Sequence, residues 1–104
     1  MGAETINGSD LDTAVNTAKK TVVVMFWAAW SGACRANMPT YESIAQSSGT
    51  VPFYKFDVDS DQATSLKFGV RAVPTFSLYK GGQLYGQVMG AQSMDRLRAL
   101  VANA

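Results

Sequence analysis

An α/β fold with a mixed central β-sheet and helices on both faces is predicted by three features of this 104-residue sequence. Val22-Val23-Val24-Met25-Phe26-Trp27-Ala28 is an unbroken apolar run rich in β-branched residues, which suits a central strand covered on both sides. Segments with helical spacing alternate with strand-like ones early in the chain, and such crossovers go with parallel pairing. Near the end, Gly81-Gly82 separates two strand-like runs, which reads as a hairpin and adds antiparallel pairing.

The elements follow in order. Thr5-Ile6 is a candidate edge strand. Asn7-Gly8-Ser9 is a glycosylation sequon by letter but reads as a loop ahead of a first helix. Ser9 is its expected cap, with Leu11, Ala14, Val15 and Ala18 on one stripe. After the Val22–Ala28 strand, Ser31 is a favourable N-cap for a second helix with Cys34, Met38, Tyr41 and Ala45 on one face. Pro39 inside it predicts a kink. Residues 53–58 alternate apolar and polar as a strand. Asp59 or Ser60 is then expected to cap a short helix through Leu66, closed by Gly69. Thr75-Phe76-Ser77-Leu78-Tyr79 alternates with period two, and residues 83–88 return as its partner. Ser93 caps a last helix with Met94, Leu97, Leu100 and Val101 inward. No linker or repeat interrupts the chain, so residues 1–104 read as a single domain.

Composition narrows the function. A net charge of +1 gives no electrostatic reason to expect nucleic acid or an anionic membrane surface. The chain has no histidine and one cysteine, so it lacks the usual general base and the usual ligands for a zinc or iron–sulfur centre; no metal and no cofactor are expected. The longest apolar run, residues 22–30, is too short to span a bilayer. With no basic, apolar leader pattern and no pair of cysteines, a reducing, cytoplasmic setting is expected.

Trp30-Ser31-Gly32-Ala33-Cys34 carries the functional signal. Two cysteines separated by two residues at a helix start lie one turn apart and can form and break a disulfide. Here the first position is Ser31, and Cys34 is the only thiol.

Together these segments resemble the thioredoxin family. The apolar strand leading into Phe26-Trp27-Ala28-Ala29-Trp30, followed by x-Gly-x-Cys and Arg35, is similar to the family's active-site segment. Phe56-Asp57-Val58-Asp59 is similar to its third strand, and residues 68–76 (Phe-Gly-Val-Arg-Ala-Val-Pro-Thr-Phe) to the segment around its cis-proline. Tyr79-Lys80-Gly81-Gly82 and Met89-Gly90-Ala91 complete the match in order. The resemblance implies the thioredoxin fold and a protein-disulfide reductase lineage. Its clients would be disulfide-containing or extended-peptide proteins, it would be recycled by a flavin-dependent thioredoxin reductase, and it would act as a monomer. It implies that Ser31 holds the place of the exposed nucleophilic cysteine and Cys34 that of the resolving cysteine. Pro74 would be the cis-proline, Val73 the residue whose backbone pairs with a client, and Trp30, Gly32, Gly90 and Ala91 the border of the groove.

Three positions depart from the family pattern. Ser31 cannot attack a disulfide and form one in turn, so dithiol turnover is expected to be lost. Met25 stands where a buried aspartate usually assists proton transfer, and brings apolar packing in place of a costly carboxyl. Ala33 replaces a proline. Lys55 matches a lysine that neighbours the aspartate, and is expected to lack that partner here.

With no histidine to activate it, Ser31 reads as a helix cap. Cys34 occupies the buried family position and reads as a weakly reactive core thiol. Trp27, Met25, Met38 and Met94 read as core, and Trp30 as an exposed wall. Two functions remain: a disulfide reductase whose nucleophile was replaced at position 31, or a naturally redox-degenerate module that binds peptides or proteins through its groove. Monothiol exchange by Cys34 ranks last, because monothiol relatives keep the first, exposed cysteine.

Overall fold

The computed structural model describes residues 2–104. Five strands form one sheet: β1 (Glu4–Thr5), β2 (Val22–Trp27), β3 (Phe53–Asp57), β4 (Thr75–Lys80) and β5 (Gln83–Met89), in the spatial order β1-β3-β2-β4-β5. The β1–β3 and β2–β3 pairs are parallel, and the β2–β4 and β4–β5 pairs are antiparallel. Helices α1 (Gly8–Asp12), α2 (Gly32–Ser47), α3 (Gln62–Lys67) and α4 (Met94–Val101) complete the α/β layers. This is the mixed sheet expected from the sequence.

The apolar run of β2 explains the layering. Val23 and Met25 join a cluster with Cys34, Tyr41, Ile44, Phe76, Leu78, Leu97 and Leu100, beneath α2 and α4. Val22, Val24 and Phe26 join Leu11, Val15, Phe56 and Tyr79 on the other face. Neither side of the strand meets water, as a run without polar alternation requires. β4 is buried on both faces as well, although its sequence alternates. Ser77 is fully buried and accepts a hydrogen bond from Gln87 Nε2 at 3.0 Å. The hairpin turns at Gly81 and Gly82, whose φ angles of +59° and +82° favour glycine.

Two helix starts differ from expectation. Asn7, not Ser9, caps α1: its side-chain oxygen accepts from the Asp10 N–H at 2.7 Å, so the residues read as a loop already open the helix. Asparagine caps as well as serine, and it comes first. Asp61, not Asp59 or Ser60, caps α3. Asp59 and Ser60 are spent in a turn closed on Asp57, through Asp59 N–H to Asp57 Oδ1 at 2.9 Å and Ser60 Oγ to Asp57 O at 2.6 Å. The stripe of the first helix also breaks. A π-helical turn, Thr13–Thr17, follows α1 and lengthens the turn by one residue, which leaves Ala18 exposed. The edge strand is Glu4–Thr5, one residue earlier than expected. α2 and α4 start where the sequence places them, capped by Ser31 and Ser93. Among the described residues, no helix is long and apolar enough to cross a membrane.

Candidate functional site

The site begins where β2 ends. The Ser31 N–H donates to the Ala28 carbonyl at 3.1 Å, turning the chain out of the sheet. Ser31 then takes an extended conformation, and its Oγ accepts from the Cys34 N–H at 3.2 Å. That bond satisfies one of the amides the first helical turn leaves free. The hydroxyl is a cap, held in a residue only 8% exposed. Cys34 is fully buried, and so is Met25 in the same packed cluster. Gly32 and Ala33 are exposed on the first turn. This wall presents a buried thiol and an occupied hydroxyl.

The second wall comes from two loops. The Val73–Pro74 bond is cis, Pro74 is buried, and Val73 packs against the cluster that holds Cys34 and Met25. The Pro74 carbonyl accepts from the Gly90 N–H at 2.8 Å, which ties the loop after β5 to the proline segment. Gly90 has φ +83°, a left-handed conformation that a side chain strains. Ala91 beside it is exposed.

Trp30, the residue before Ser31, has 69% of its surface exposed. Its Nε1 donates to Asp59 Oδ2 at 2.9 Å, so the ring is held despite its exposure. On one side of it lies an open cleft of about 270 Å³ bordered by Trp30, Val58, Leu66, Val70, Arg71 and Val73. Leu66 is 76% exposed, which leaves an apolar rim. Trp27 packs against the same cluster as Cys34, and its buried Nε1 has no protein acceptor.

Around Met25 the polar groups have other partners. Lys55 Nζ pairs with Glu42 Oε2 at 2.7 Å, and Glu42 Oε1 accepts from the Ala3 N–H at 2.7 Å. The lysine expected to lack an aspartate is therefore engaged by a glutamate from α2. Burial pushes the Glu42 carboxyl up, but the bonds from Lys55 and Ala3, with the lysine's charge, outweigh it and hold it below its ordinary value. Burial pushes the Tyr41 hydroxyl well above its ordinary value. That hydroxyl stays protonated and reaches the Tyr54 carbonyl at 2.7 Å and the Val23 carbonyl at 3.2 Å.

The fold thus packs Cys34, Met25 and Val73 in one cluster, with Ser31 capping the helix at Cys34 and Pro74 bonded to Gly90. Gly32 and Ala91 are exposed at the margins. Two residues here were not read from the sequence as site residues. Asp59 orients Trp30, and no local pattern signals a contact across 29 positions. Asn37 is buried and bonds the backbone of Gln92. Its signal was a polar residue in the stripe 34, 37, 41, 44, where the neighbours are apolar.

Comparison with known proteins agrees with this geometry. A thioredoxin family model matches residues 2–103. A thioredoxin from Alicyclobacillus acidocaldarius is 39% identical over 85 residues, covering 81% of each chain. The crystal structure of thioredoxin from Malassezia sympodialis superimposes with a TM-score of 0.87 at 35% identity, covering 99% of this chain and 91% of that one. Reduced thioredoxin from Schistosoma mansoni gives a TM-score of 0.86 at 30% identity, covering 99% and 98%.

Proposed function

Because this chain belongs to the thioredoxin family, and so to a thiol–disulfide oxidoreductase lineage, we propose that it retains the client-binding groove of that lineage without its dithiol turnover. The observation that carries this reading is the state of position 31: a serine hydroxyl already engaged as a helix cap, above a single buried thiol.

Reduction of a disulfide by a dithiol takes two displacements. One thiolate attacks a client sulfur, forming a mixed disulfide and releasing one client thiolate. The second thiolate attacks the mixed disulfide, closing an internal disulfide and releasing the other client thiolate. Two electrons leave the two sulfurs. With one thiol the second displacement has no donor, so the cycle cannot close. Cys34 is also fully shielded, which weighs against monothiol exchange in the native state.

The groove is the part put to use. Val73 offers backbone groups beside the proline, Gly32, Gly90 and Ala91 border an extended segment without bulk, and Trp30 supplies an aromatic wall. The clients are disulfide-containing or extended-peptide proteins, met by a monomer in a reducing, cytoplasmic setting. The Ser31→Cys variant tests the lineage. With dithiothreitol as reductant it is expected to reduce insulin over many turnovers, and to accept electrons from a flavin-dependent thioredoxin reductase, while the present chain does neither. A Ser31→Cys variant that stays inactive defeats the reading of a reductase altered only at its nucleophile.

The repacked surroundings favour a naturally redox-degenerate binding module over a reductase altered only at its nucleophile. Met25 is fully buried and Lys55 has found Glu42, so the neighbourhood of the missing carboxyl is internally satisfied. Capture from a lysate with the present chain and with Cys34→Ser tests the binding module. The binding module recovers the same partner with both, whereas complete dependence on Cys34 points to covalent trapping.

A further inference from the structure

Asn37 makes two hydrogen bonds to the main chain of a residue 55 positions away. Its Nδ2 donates to the Gln92 carbonyl at 2.8 Å, and its Oδ1 accepts from the Gln92 N–H at 2.8 Å. The side-chain amide therefore pairs with Gln92 as a neighbouring strand would. Only one orientation of the amide satisfies both bonds, because the backbone presents one donor and one acceptor. Asn37 is 6% exposed, so these bonds are shielded from water.

Its placement gives the contact a role. Asn37 lies three residues after Cys34, one turn further along the same helix face. Gln92 follows Gly90 and Ala91, and its own Nε2 donates to the Met89 carbonyl at 2.9 Å and the Gly90 carbonyl at 3.3 Å. Gly90 in turn donates to Pro74. A continuous set of bonds thus runs from α2, through the Gly90–Gln92 loop, to the cis-proline segment. Asn37 is the one side chain in that set that joins α2 to the loop.

We propose that Asn37 is a positioning residue for the groove: it fixes the spacing between the Ser31–Cys34 end of α2 and the Gly90–Ala91 border, and so sets the width open to an extended peptide. This rests on the groove reading given above. An apolar side chain of equal size fills the same space but leaves the Gln92 N–H and carbonyl without partners, and the loop moves to find water. A ligand that orders a loosened loop binds more weakly, because binding must then supply that ordering.

The test uses the isotope-labelled chain, its Asn37→Leu and Asn37→Ala variants, and Gln92→Ala as a control. The probe is reduced, carboxymethylated insulin B chain, an extended peptide with its thiols blocked. Amide exchange at Gln92 and a chemical-shift titration are read on the same samples. In both Asn37 variants, exchange at Gln92 is expected to quicken and affinity for the probe to fall about tenfold. Gln92→Ala keeps the pair between Asn37 and the main chain but loses the Nε2 bonds to the Met89 and Gly90 carbonyls, so exchange at residue 92 is expected to stay slow and affinity to fall less than in the Asn37 variants. Unchanged Gln92 exchange in both Asn37 variants overturns the clamp. Faster exchange with unchanged affinity overturns its role in binding. If the unsubstituted chain does not respond to the probe, the groove reading itself falls and the binding role with it, whereas protection of Gln92 would still register the clamp as a contact of the fold.

Discussion

The start of α2 and the Pro74–Gly90 loops are the two walls of the proposed groove, and they differ in what they keep. On the α2 wall the chemistry is altered at three positions: Ser31 caps a helix, Ala33 is exposed, and Met25 fills the core beneath. The loop wall holds a cis Val73–Pro74 bond, a Gly90 N–H tied to the Pro74 carbonyl, and a left-handed glycine, the features the family resemblance assigns to client binding. On the proposed reading, holding a peptide and moving electrons are separable in this scaffold. The first needs backbone groups in fixed places, and the second needs two sulfurs and a way to manage their protons.

The sharpest way to break the contrast is the Ser31→Cys exchange already described, which is expected to turn an inactive wall into a working one and to produce the largest change of all. Next comes Met25→Asp. This places a carboxyl in a fully buried site whose neighbouring lysine is already paired to Glu42, and is expected to lower unfolding free energy by roughly 3–5 kcal/mol in urea titrations. A loss below about 1 kcal/mol would show that the core accommodates a carboxyl far better than its packing indicates. On the other wall, Gly90→Ala is expected to cost about 1–2 kcal/mol from its positive φ alone, since a Cβ there meets no atom within 4 Å. A neutral result in thermal unfolding would show that the loop has an alternative path.

The smallest effect concerns Glu42. Its carboxyl is held below the ordinary value, so the pair with Lys55 stabilises the fold above the ordinary carboxyl range and loses that contribution as pH falls through the lowered folded value. Glu42→Gln is expected to cost under about 1 kcal/mol near neutral pH and to narrow its gap to the unsubstituted chain on acidification. A gap that widens toward acid would reverse the assignment.

What was legible in the sequence divides by range. The β2 run, the Ser31 and Ser93 caps and the Gly81-Gly82 hairpin are local signals, each decided by a few adjacent residues. The caps of α1 and α3 are not legible locally, because Asn7 and Asp61 compete with nearby residues of similar capping strength; the Asp10 N–H bond to Asn7 and the turn that engages Asp59 and Ser60 decide between them. The stripe ending at Ala18 failed because a π-helical turn changes the angular step between residues. For the site, resemblance supplied the positions of Pro74 and Gly90. It could not supply Asn37 with Gln92, Trp30 with Asp59, or Lys55 with Glu42, because each joins residues that only the folded chain makes neighbours.

The Ser31 cap has a consequence for how such a module can outlive its reaction. Cysteine at a helix start contributes catalysis, but serine there secures the same turn through its own oxygen. On the proposed reading, sulfur exchanged for oxygen at this one atom stops dithiol turnover while the serine oxygen still holds the helix start, which leaves the scaffold free to persist as a receptor.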